Sequence, residues 1–266
     1  MKSYKLVGSG PRKVLLFPGL LGTRDAFDDM LRYADTERFQ YASVEYRGYG
    51  EARNEPGLLT LREIVLDAVR LVEFLGWTEV TLGGHSLGAL VAQMVAVAMP
   101  RRVKAIVSIA GTSATGASAD PQRQVFMRAA AASAEQRTAL VRGGTAGRYS
   151  AAAERAIVAL SFERIAPAAF ASYAFDASRT DISAQVRDIS ARVLALVGEH
   201  DPNCTEQFAR DTTLVLYRDA RMLVLAGAGH YPQIETPLQT IVALEQFVDE
   251  TVGAGANAIP PQAKAA

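Results

Sequence analysis

The sequence is poor in the residues that build disulfides and metal sites. Its 266 residues include one cysteine, Cys204, and three histidines, His85, His200 and His230. A lone cysteine cannot form an internal disulfide, and no CxxC pair exists to hold zinc, so we expect no structural metal. Any chemistry that depends on histidine must use one of these three residues.

The chain also lacks an excess of charge of either sign. Lys and Arg number 28, Asp and Glu number 28, and the formal net charge is zero. This balance argues against a general attraction to nucleic acid or to an anionic membrane, so we predict neither as a partner. The hydrophobic content of 49% and the charged content of 21% predict a folded chain rather than a disordered one.

Long apolar runs are missing as well. No run approaches the roughly 18 apolar residues that a membrane helix needs, and Gly8, Gly10 and Pro11 interrupt the N-terminal stretch before it could form the core of a signal peptide. We therefore predict a soluble, cytoplasmic protein. The stretch 253–266 is rich in Gly, Ala and Pro and is predicted to be a flexible tail.

Strand-like and helix-like segments alternate along much of the chain, which predicts a mostly parallel sheet with helices on both faces. The Thr60-Leu61-Arg62-Glu63 pattern predicts a capping box at the start of one helix. The predicted strands are Tyr4–Val7, Val14–Phe17, Gln40–Glu45, Val80–Leu82, Val103–Ile109, Val193–Val197 and Arg221–Leu225, and the predicted helices are 61–75, Leu87–Met99, Glu206–Arg210 and Pro237–Val252.

The alternation stops between about residues 111 and 181. No convincing strand occurs there, and alanine-rich segments such as Pro121–Ala134 and Ala151–Phe162 indicate helices. A helical block between two strands of one sheet indicates a lid rather than an independent domain. We therefore predict one α/β core formed by residues 1–111 and 183–252, with a helical cap at 112–182.

The stretch Gly84-His85-Ser86-Leu87-Gly88 has the pattern of a nucleophile at a sharp turn between a strand and a helix. Such a turn exposes the serine hydroxyl above the sheet, and its flanking residues must be small so that strand and helix can approach. The following helix points free N–H groups at a developing oxyanion. Ser86 is therefore a candidate nucleophile.

A serine hydroxyl needs a base, and the base needs an orienting acid. His85 adjoins Ser86 and is better interpreted as a packing residue, whereas His200 suits a structural or a functional role equally well. His230 lies in a glycine-containing loop after a strand, and a loop histidine is often inert. Asp201 follows another strand, where ligands gather in parallel sheets. Glu199 is the competing carboxylate, and Asp211 and Asp219 lie away from strand ends.

With these motifs in place, the chain resembles the α/β-hydrolase fold family, and in particular its capped serine hydrolases. The order Ser86, Asp201, His230 is the order that this fold uses. The resemblance extends over about residues 4–252. It rests also on Phe17-Pro18-Gly19-Leu20-Leu21-Gly22, Tyr46-Arg47-Gly48-Tyr49-Gly50, Gly198-Glu199-His200-Asp201 and Gly229-His230-Tyr231-Pro232.

The resemblance implies that Ser86 attacks a carbonyl, that His230 is the base and that Asp201 orients it. The backbone N–H groups of Leu20 and Leu87 would form the oxyanion hole. It implies no metal and no organic cofactor. One departure is Pro18, which replaces the family's usual histidine.

The implied substrate is a small acyl molecule, an ester, lactone or thioester. Two alternative functions remain: a carbon–carbon bond hydrolase of a dienoate, and a receptor-like protein with little turnover. A homo-oligomer is a possible assembly in each case. A serine nucleophile argues against a dehalogenase or an epoxide hydrolase. Six residues of the predicted cap are candidates for the lining of the substrate pocket: Phe126, Met127, Phe162, Phe170, Tyr173 and Phe175. Among them we select Phe126, Phe162 and Tyr173. Arg123, Arg128 and Arg179 could meet a substrate carboxylate or form a solvated face.

Overall fold

The computed structural model describes residues 3–253. The strands are β1 (Tyr4–Gly8), β2 (Arg12–Phe17), β3 (Phe39–Val44), β4 (Val80–His85), β5 (Val103–Ile109), β6 (Arg192–Gly198) and β7 (Ala220–Leu225). The α-helices are α1 (Asp28–Leu31), α2 (Leu61–Phe74), α3 (Leu87–Ala98), α4 (Pro121–Ala132), α5 (Ala134–Gly144), α6 (Ala151–Arg164), α7 (Pro167–Ala177), α8 (Ser183–Val186), α9 (Glu206–Asp211), α10 (Thr213–Leu216), α11 (Pro232–Glu235) and α12 (Pro237–Gly253).

The strands form one 7-stranded sheet in the order β1-β3-β2-β4-β5-β6-β7. Only the first pair, β1 with β3, is antiparallel, and each of the other pairs is parallel. The predicted mostly parallel sheet is thus confirmed. Because β2, β4, β6 and β7 run in the same direction, the loops that follow them meet at one edge of the sheet.

Alternate residues of β2 face opposite layers of the molecule. Leu15 and Phe17 pack in a cluster that includes residues of α2 and α3. Val14 and Leu16 pack instead in a second cluster with residues of α1 and α12. This alternation buries both faces of the strand, which explains its continuous apolar sequence.

Helices α4 to α7 lie within residues 112–182, where the sequence predicts a helical block, and the short helix α8 follows them before β6. One predicted helix, Pro121–Ala134, is divided in two. The break is at Ser133, which adopts an extended conformation and accepts a hydrogen bond from the Gln136 N–H at the start of α5. A serine that caps a helix in this way favours a new helix start over a continuous one.

Two predictions concern the membrane and the tail. None of the helices within residues 3–253 is both long enough and apolar enough to cross a membrane. The predicted tail begins at residue 253, which is the last residue of α12. The rest of that predicted tail, 254–266, lies outside the described residues.

The capping box predicted at the start of α2 is present, with one change in its hydrogen bonds. The Thr60 hydroxyl accepts a hydrogen bond from the Glu63 N–H at 3.2 Å, as a capping box requires. The Glu63 carboxylate, however, accepts from the N–H of Leu59 at 3.0 Å rather than from Thr60. Leu59 has a positive φ of 54°, so the chain turns one residue before the helix and presents that N–H to Glu63.

We expect Thr60→Ala to lower the free energy of unfolding by about 1 kcal/mol, because it leaves a helix N–H without its acceptor. Urea unfolding followed by circular dichroism measures this difference. Thr138→Ala is the matched control, because Thr138 is partly exposed within α5 and, among the described residues, its hydroxyl bonds only to the carbonyl of Ala134. Equal losses in the two variants would contradict the assigned capping role.

Candidate active site

The turn between β4 and α3 holds Ser86 in a strained backbone conformation. Its φ is 51° and its ψ is −116°, a region that residues with a side chain rarely adopt. A Cβ atom at Gly84 would lie 2.2 Å from the Gly88 oxygen, and one at Gly88 would lie 2.0 Å from the Phe17 oxygen. The two glycines are therefore required by the close approach of strand and helix.

The structure brings Ser86, His230 and Asp201 together from three loops. The Nε2 atom of His230 lies 3.2 Å from the Oγ of Ser86, and its Nδ1 lies 2.8 Å from Oδ2 of Asp201. Nδ1 therefore donates to the carboxylate, which leaves Nε2 as an acceptor for the serine hydroxyl. These contacts match the arrangement of a nucleophile, a base and an orienting acid.

Asp201 is buried and held from two sides. Besides the His230 contact, its Oδ1 accepts hydrogen bonds from the N–H groups of Asn203 at 2.8 Å and Cys204 at 3.0 Å. Burial acts to raise the pKa of Asp201, but the hydrogen bonds from His230 and the two backbone N–H groups outweigh it and lower that pKa. The carboxylate therefore stays ionised. The competing Glu199 points elsewhere and accepts from the Gly227 N–H at 2.8 Å.

The loop that carries His230 is fixed by a carboxylate that the sequence analysis did not select. Glu235 accepts hydrogen bonds from the N–H groups of Gly229 at 2.9 Å and Tyr231 at 3.0 Å, on either side of the histidine. Arg148, from the segment between α5 and α6, pairs with Glu235 at 2.8 Å and donates to the Gly227 carbonyl at 2.8 Å. Glu235 lies close to His230 in the sequence, but no sequence signal links it to Arg148, because only the folded chain brings those two residues into contact.

His85 has a more specific contact than the predicted packing role. It is buried, and its Nε2 donates a hydrogen bond to the backbone oxygen of His230 at 2.7 Å. Burial, together with the nearby His230, lowers the pKa of His85 to about 3, so its imidazole is neutral at physiological pH. His200 is exposed, with Nε2 3.6 Å from Glu199.

The two predicted oxyanion donors both line the cavity at Ser86. Leu87 is the first residue of α3, and Leu20 lies in the loop after β2. Buried tyrosines hold that loop: the hydroxyl of Tyr46 donates to the Pro18 carbonyl at 2.9 Å, and that of Tyr49 donates to the Leu20 carbonyl at 3.0 Å. The backbone of this loop is therefore anchored at two carbonyls, one before and one after the Leu20 N–H.

A cavity of about 560 Å³ opens above Ser86. Its walls come from the loops of the sheet and from α4, α5, α7 and α9, and the lining includes both apolar and basic side chains. They include Leu20, Leu21, Ser86, Leu87, Arg123, Gln124, Met127, Arg128, Leu140, Phe175, Ser178, Cys204, Phe208, His230 and Tyr231. A cavity of this size suits a small-molecule ligand.

The selected pocket residues Phe126, Phe162 and Tyr173 do not line this cavity, and that prediction is corrected. Tyr173 is buried against Tyr46 and donates from its hydroxyl to the Arg47 carbonyl at 3.0 Å. Phe162 lies against the guanidinium of Arg137, at 3.8 Å from the ring centroid. Phe126 lies against Arg123, with the guanidinium 5.3 Å from its ring centroid. Of the wider set of aromatic and methionine candidates, Met127 and Phe175 do line the cavity.

The geometry of α7 explains why Phe175, and not Tyr173, lines the cavity. Tyr173 and Phe175 are two residues apart, so an α-helix places them on opposite faces. The face of Phe170 and Tyr173 packs into the core, whereas Ala171, Ala174 and Phe175 face the cavity. Helix α7 is apolar on both faces, so its sequence does not indicate which face meets the core.

One cluster of potential metal ligands overlaps these residues. Ligand atoms of Asp201, Cys204 and His230 lie within 4.8 Å of one another. Asp201 and His230, however, are already joined by a hydrogen bond of 2.8 Å, and burial raises the pKa of the Cys204 thiol, which disfavours the thiolate that a metal needs. We therefore assign no metal to this site.

Comparison with known proteins agrees with the fold. The profile of the Alpha/beta hydrolase family matches residues 14–244. The chain belongs to the alpha/beta hydrolase family. It is an enzyme of the hydrolase class, as its resemblance to known relatives also indicates.

Two relatives of known name align over most of their length. A 2-(acetamidomethylene)succinate hydrolase from Mesorhizobium japonicum is 27% identical, covering 91% of this chain and 89% of the relative. A 3-oxoadipate enol-lactonase 2 from Acinetobacter baylyi is 26% identical, covering 88% of each. Among solved structures, an esterase from Thermogutta terrifontis has a TM-score of 0.81 at 20% identity, covering 94% of this chain and 93% of the other. That last likeness concerns the fold.

The neutral state of His85 predicts a change in acid stability. An unfolded histidine takes up a proton near pH 6.5, whereas folded His85 stays neutral down to about pH 3. The unfolded state therefore binds more protons in this window, and stability falls as the pH falls. We expect His85→Gln to reduce the slope of the free energy of unfolding against pH by about 1 kcal/mol per pH unit around pH 5.

Urea unfolding at several pH values between about 6 and 4 measures that slope. His200→Gln is the matched control, since it removes an exposed imidazole. If His85→Gln kept the slope of the parent chain, the buried neutral imidazole would not be the source of the acid sensitivity.

Proposed function

We propose that this protein is a serine hydrolase that cleaves a small carboxylic ester, lactone or thioester through an acyl-enzyme on Ser86. The observation that carries this proposal is the continuous hydrogen-bonded chain from Ser86 through His230 to Asp201, with distances of 3.2 and 2.8 Å. It lies in a cavity large enough for a small acyl molecule. In this arrangement each side chain has the partner that its chemical role requires.

In the first half-reaction the Ser86 oxygen attacks the carbonyl carbon while Nε2 of His230 takes the hydroxyl proton. Asp201 stabilises the imidazolium that forms, through the hydrogen bond at Nδ1. The tetrahedral intermediate then collapses, and His230 gives its proton to the leaving oxygen or sulfur. The acyl group is left bound to Ser86.

In the second half-reaction a water molecule replaces the leaving group. His230 takes a proton from this water as the water oxygen attacks the acyl carbon, and the imidazolium gives that proton to the Ser86 oxygen when the second intermediate collapses. The products are the carboxylic acid and the free serine. A lactone follows the same steps, except that its leaving group stays joined to the acid.

The N–H groups of Leu20 and Leu87 would bind the oxyanion in both intermediates. Leu87 offers the free N–H of the first turn of α3, where the helix dipole favours negative charge. Leu20 is held through its carbonyl by the Tyr49 hydroxyl. Each such donor is worth about 3 kcal/mol of transition-state stabilisation in comparable sites.

The substrate site also accounts for the helical insertion. Residues of α4, α5 and α7 form walls of the cavity above Ser86, which supports a role for the predicted segment 112–182 as a cap over the core. The names of the two relatives, a 2-(acetamidomethylene)succinate hydrolase and an enol-lactonase, favour a small molecule rather than a polymer as the substrate. We infer that substrate choice depends on this segment.

We expect Ser86→Ala to lower kcat by at least about 1,000-fold on an activated aryl ester, since it removes the nucleophile and leaves the fold intact. Steady-state rates on p-nitrophenyl esters measure the loss, and a fluorophosphonate probe followed by mass spectrometry should label Ser86. Ser178→Ala is the matched control, because Ser178 lines the same cavity but, within residues 3–253, its hydroxyl bonds only to the Phe175 carbonyl at 2.7 Å.

Full activity of the Ser86→Ala protein would contradict the proposal. Absence of both turnover and probe labelling in the parent chain would favour a receptor-like role instead. A panel of esters, lactones and acyl thioesters identifies the preferred acyl bond. Spectral bleaching of a dienoate ring-cleavage product, without ester turnover, would indicate a carbon–carbon bond hydrolase.

A further inference from the structure

The cavity above Ser86 has an excess of positive charge. Two of its lining residues are arginines, Arg123 and Arg128, and none of its described lining residues is an aspartate or a glutamate. The lining histidine His85 is neutral, because burial lowers its pKa to about 3. The formal net charge of the whole chain is zero, so this excess is a local property of the cavity.

The two arginines differ from their neighbours in having no acidic partner among the described residues. In the same helical segment, Arg142 pairs with Glu154 at 2.5 Å, and Arg148 pairs with Glu235 at 2.8 Å. The guanidinium of Arg128 has instead an aromatic contact, 5.4 Å from the Phe175 ring centroid. Such a contact orients a guanidinium and leaves its N–H donors available.

Arg123 is the more constrained of the two. Much of its side chain faces solvent, but the surrounding protein atoms exclude enough water to lower its pKa below the ordinary value. Its guanidinium lies 5.3 Å from the Phe126 ring centroid. A partly desolvated cation without a counter-ion is costly, and an anion at this place would relieve that cost.

Helix α4 places these two charges beside apolar residues of the cavity wall. Arg123, Gln124, Met127 and Arg128 follow helical spacing and line one side of the cavity. Apolar residues from other elements, including Leu20, Leu140 and Phe208, complete the lining. A cavity with an apolar wall and a basic helix face fits a hydrocarbon chain that carries an anionic group.

We propose that the substrate carries a carboxylate remote from the scissile carbonyl, and that Arg123 and Arg128 bind it. This inference rests on the proposed hydrolysis at Ser86 and names the substrate class of that site. A guanidinium binds a carboxylate through two parallel N–H donors, and such charge-assisted bonds are stronger than neutral ones. Placing the anion at α4 would orient the acyl bond toward Ser86 and discriminate against neutral esters.

The test compares substrates that differ only in a negative charge. On the acyl side these are p-nitrophenyl monoesters of the dicarboxylic acids from glutaric to suberic. Each is compared with the neutral diester in which the free carboxylate is a methyl ester and the p-nitrophenyl ester is kept. On the leaving-group side they are hexanoate esters of meta-hydroxybenzoate and of its methyl ester. We expect kcat/KM for the best acid to exceed that of its neutral counterpart by about 10- to 100-fold, and this ratio to fall as salt is added.

The double variant Arg123→Gln/Arg128→Gln should reduce that ratio by about 10- to 100-fold, chiefly through KM. Use of the ratio cancels any general loss of activity. Arg179→Gln is the matched control: its guanidinium also lies 5.4 Å from the Phe175 ring centroid, but Arg179 is not among the residues that line the cavity. It should leave the ratio unchanged.

The carboxylate site and the hydrolysis at Ser86 are contradicted by different results. If Ser86-dependent hydrolysis occurs but neither substrate series shows a preference for the acid, or the double variant keeps the ratio, the carboxylate site is wrong and the hydrolase stands. A preference for acyl-coenzyme A over the matching N-acetylcysteamine thioester, lost in the double variant and without any preference for the acids, would assign the arginines to phosphate. If no substrate is hydrolysed, the proposed function fails first.

Discussion

The close approach of β4 and α3 at Ser86 is the constraint on which the site depends. The strand must end and the helix begin within one residue, so Ser86 takes a positive φ of 51° and the glycines at 84 and 88 leave no room for a side chain. The strain is maintained because both elements are buried in the core. The same turn exposes the hydroxyl and aims the first helical N–H groups into one cavity.

Two further loops are held in place by side chains rather than by regular structure. Glu235 accepts hydrogen bonds from the backbone on both sides of His230, and His85 donates to the His230 carbonyl. Tyr46 and Tyr49 hold the loop that carries Leu20 in the same manner. Buried or partly buried hydrogen bonds of this kind fix a loop to within a few tenths of an ångström, which a triad needs for proton transfer.

Net charge and local charge lead to different conclusions about ligands. A formal charge of zero argues against broad attraction to polyanions. The fold nonetheless gathers Arg123 and Arg128 on one wall of the cavity, while Glu154 of the insertion pairs with a different arginine, Arg142. Selectivity for a small anion depends on that local arrangement, since charges more than about 10 Å apart are screened in physiological salt.

The sequence by itself determined the strand order along the chain, the elbow at Ser86 and the loops that carry Asp201 and His230. These features depend on short-range patterns: apolar runs, glycines at obligatory turns and a serine between them. Only the tertiary structure decided which residues face the cavity. Tyr173 and Phe175 are both aromatic and two residues apart, and their roles differ because α7 packs one face on the core and the other over the site. Contacts such as Arg148 with Glu235, 87 residues apart, have no local pattern, because they arise only when distant segments pack.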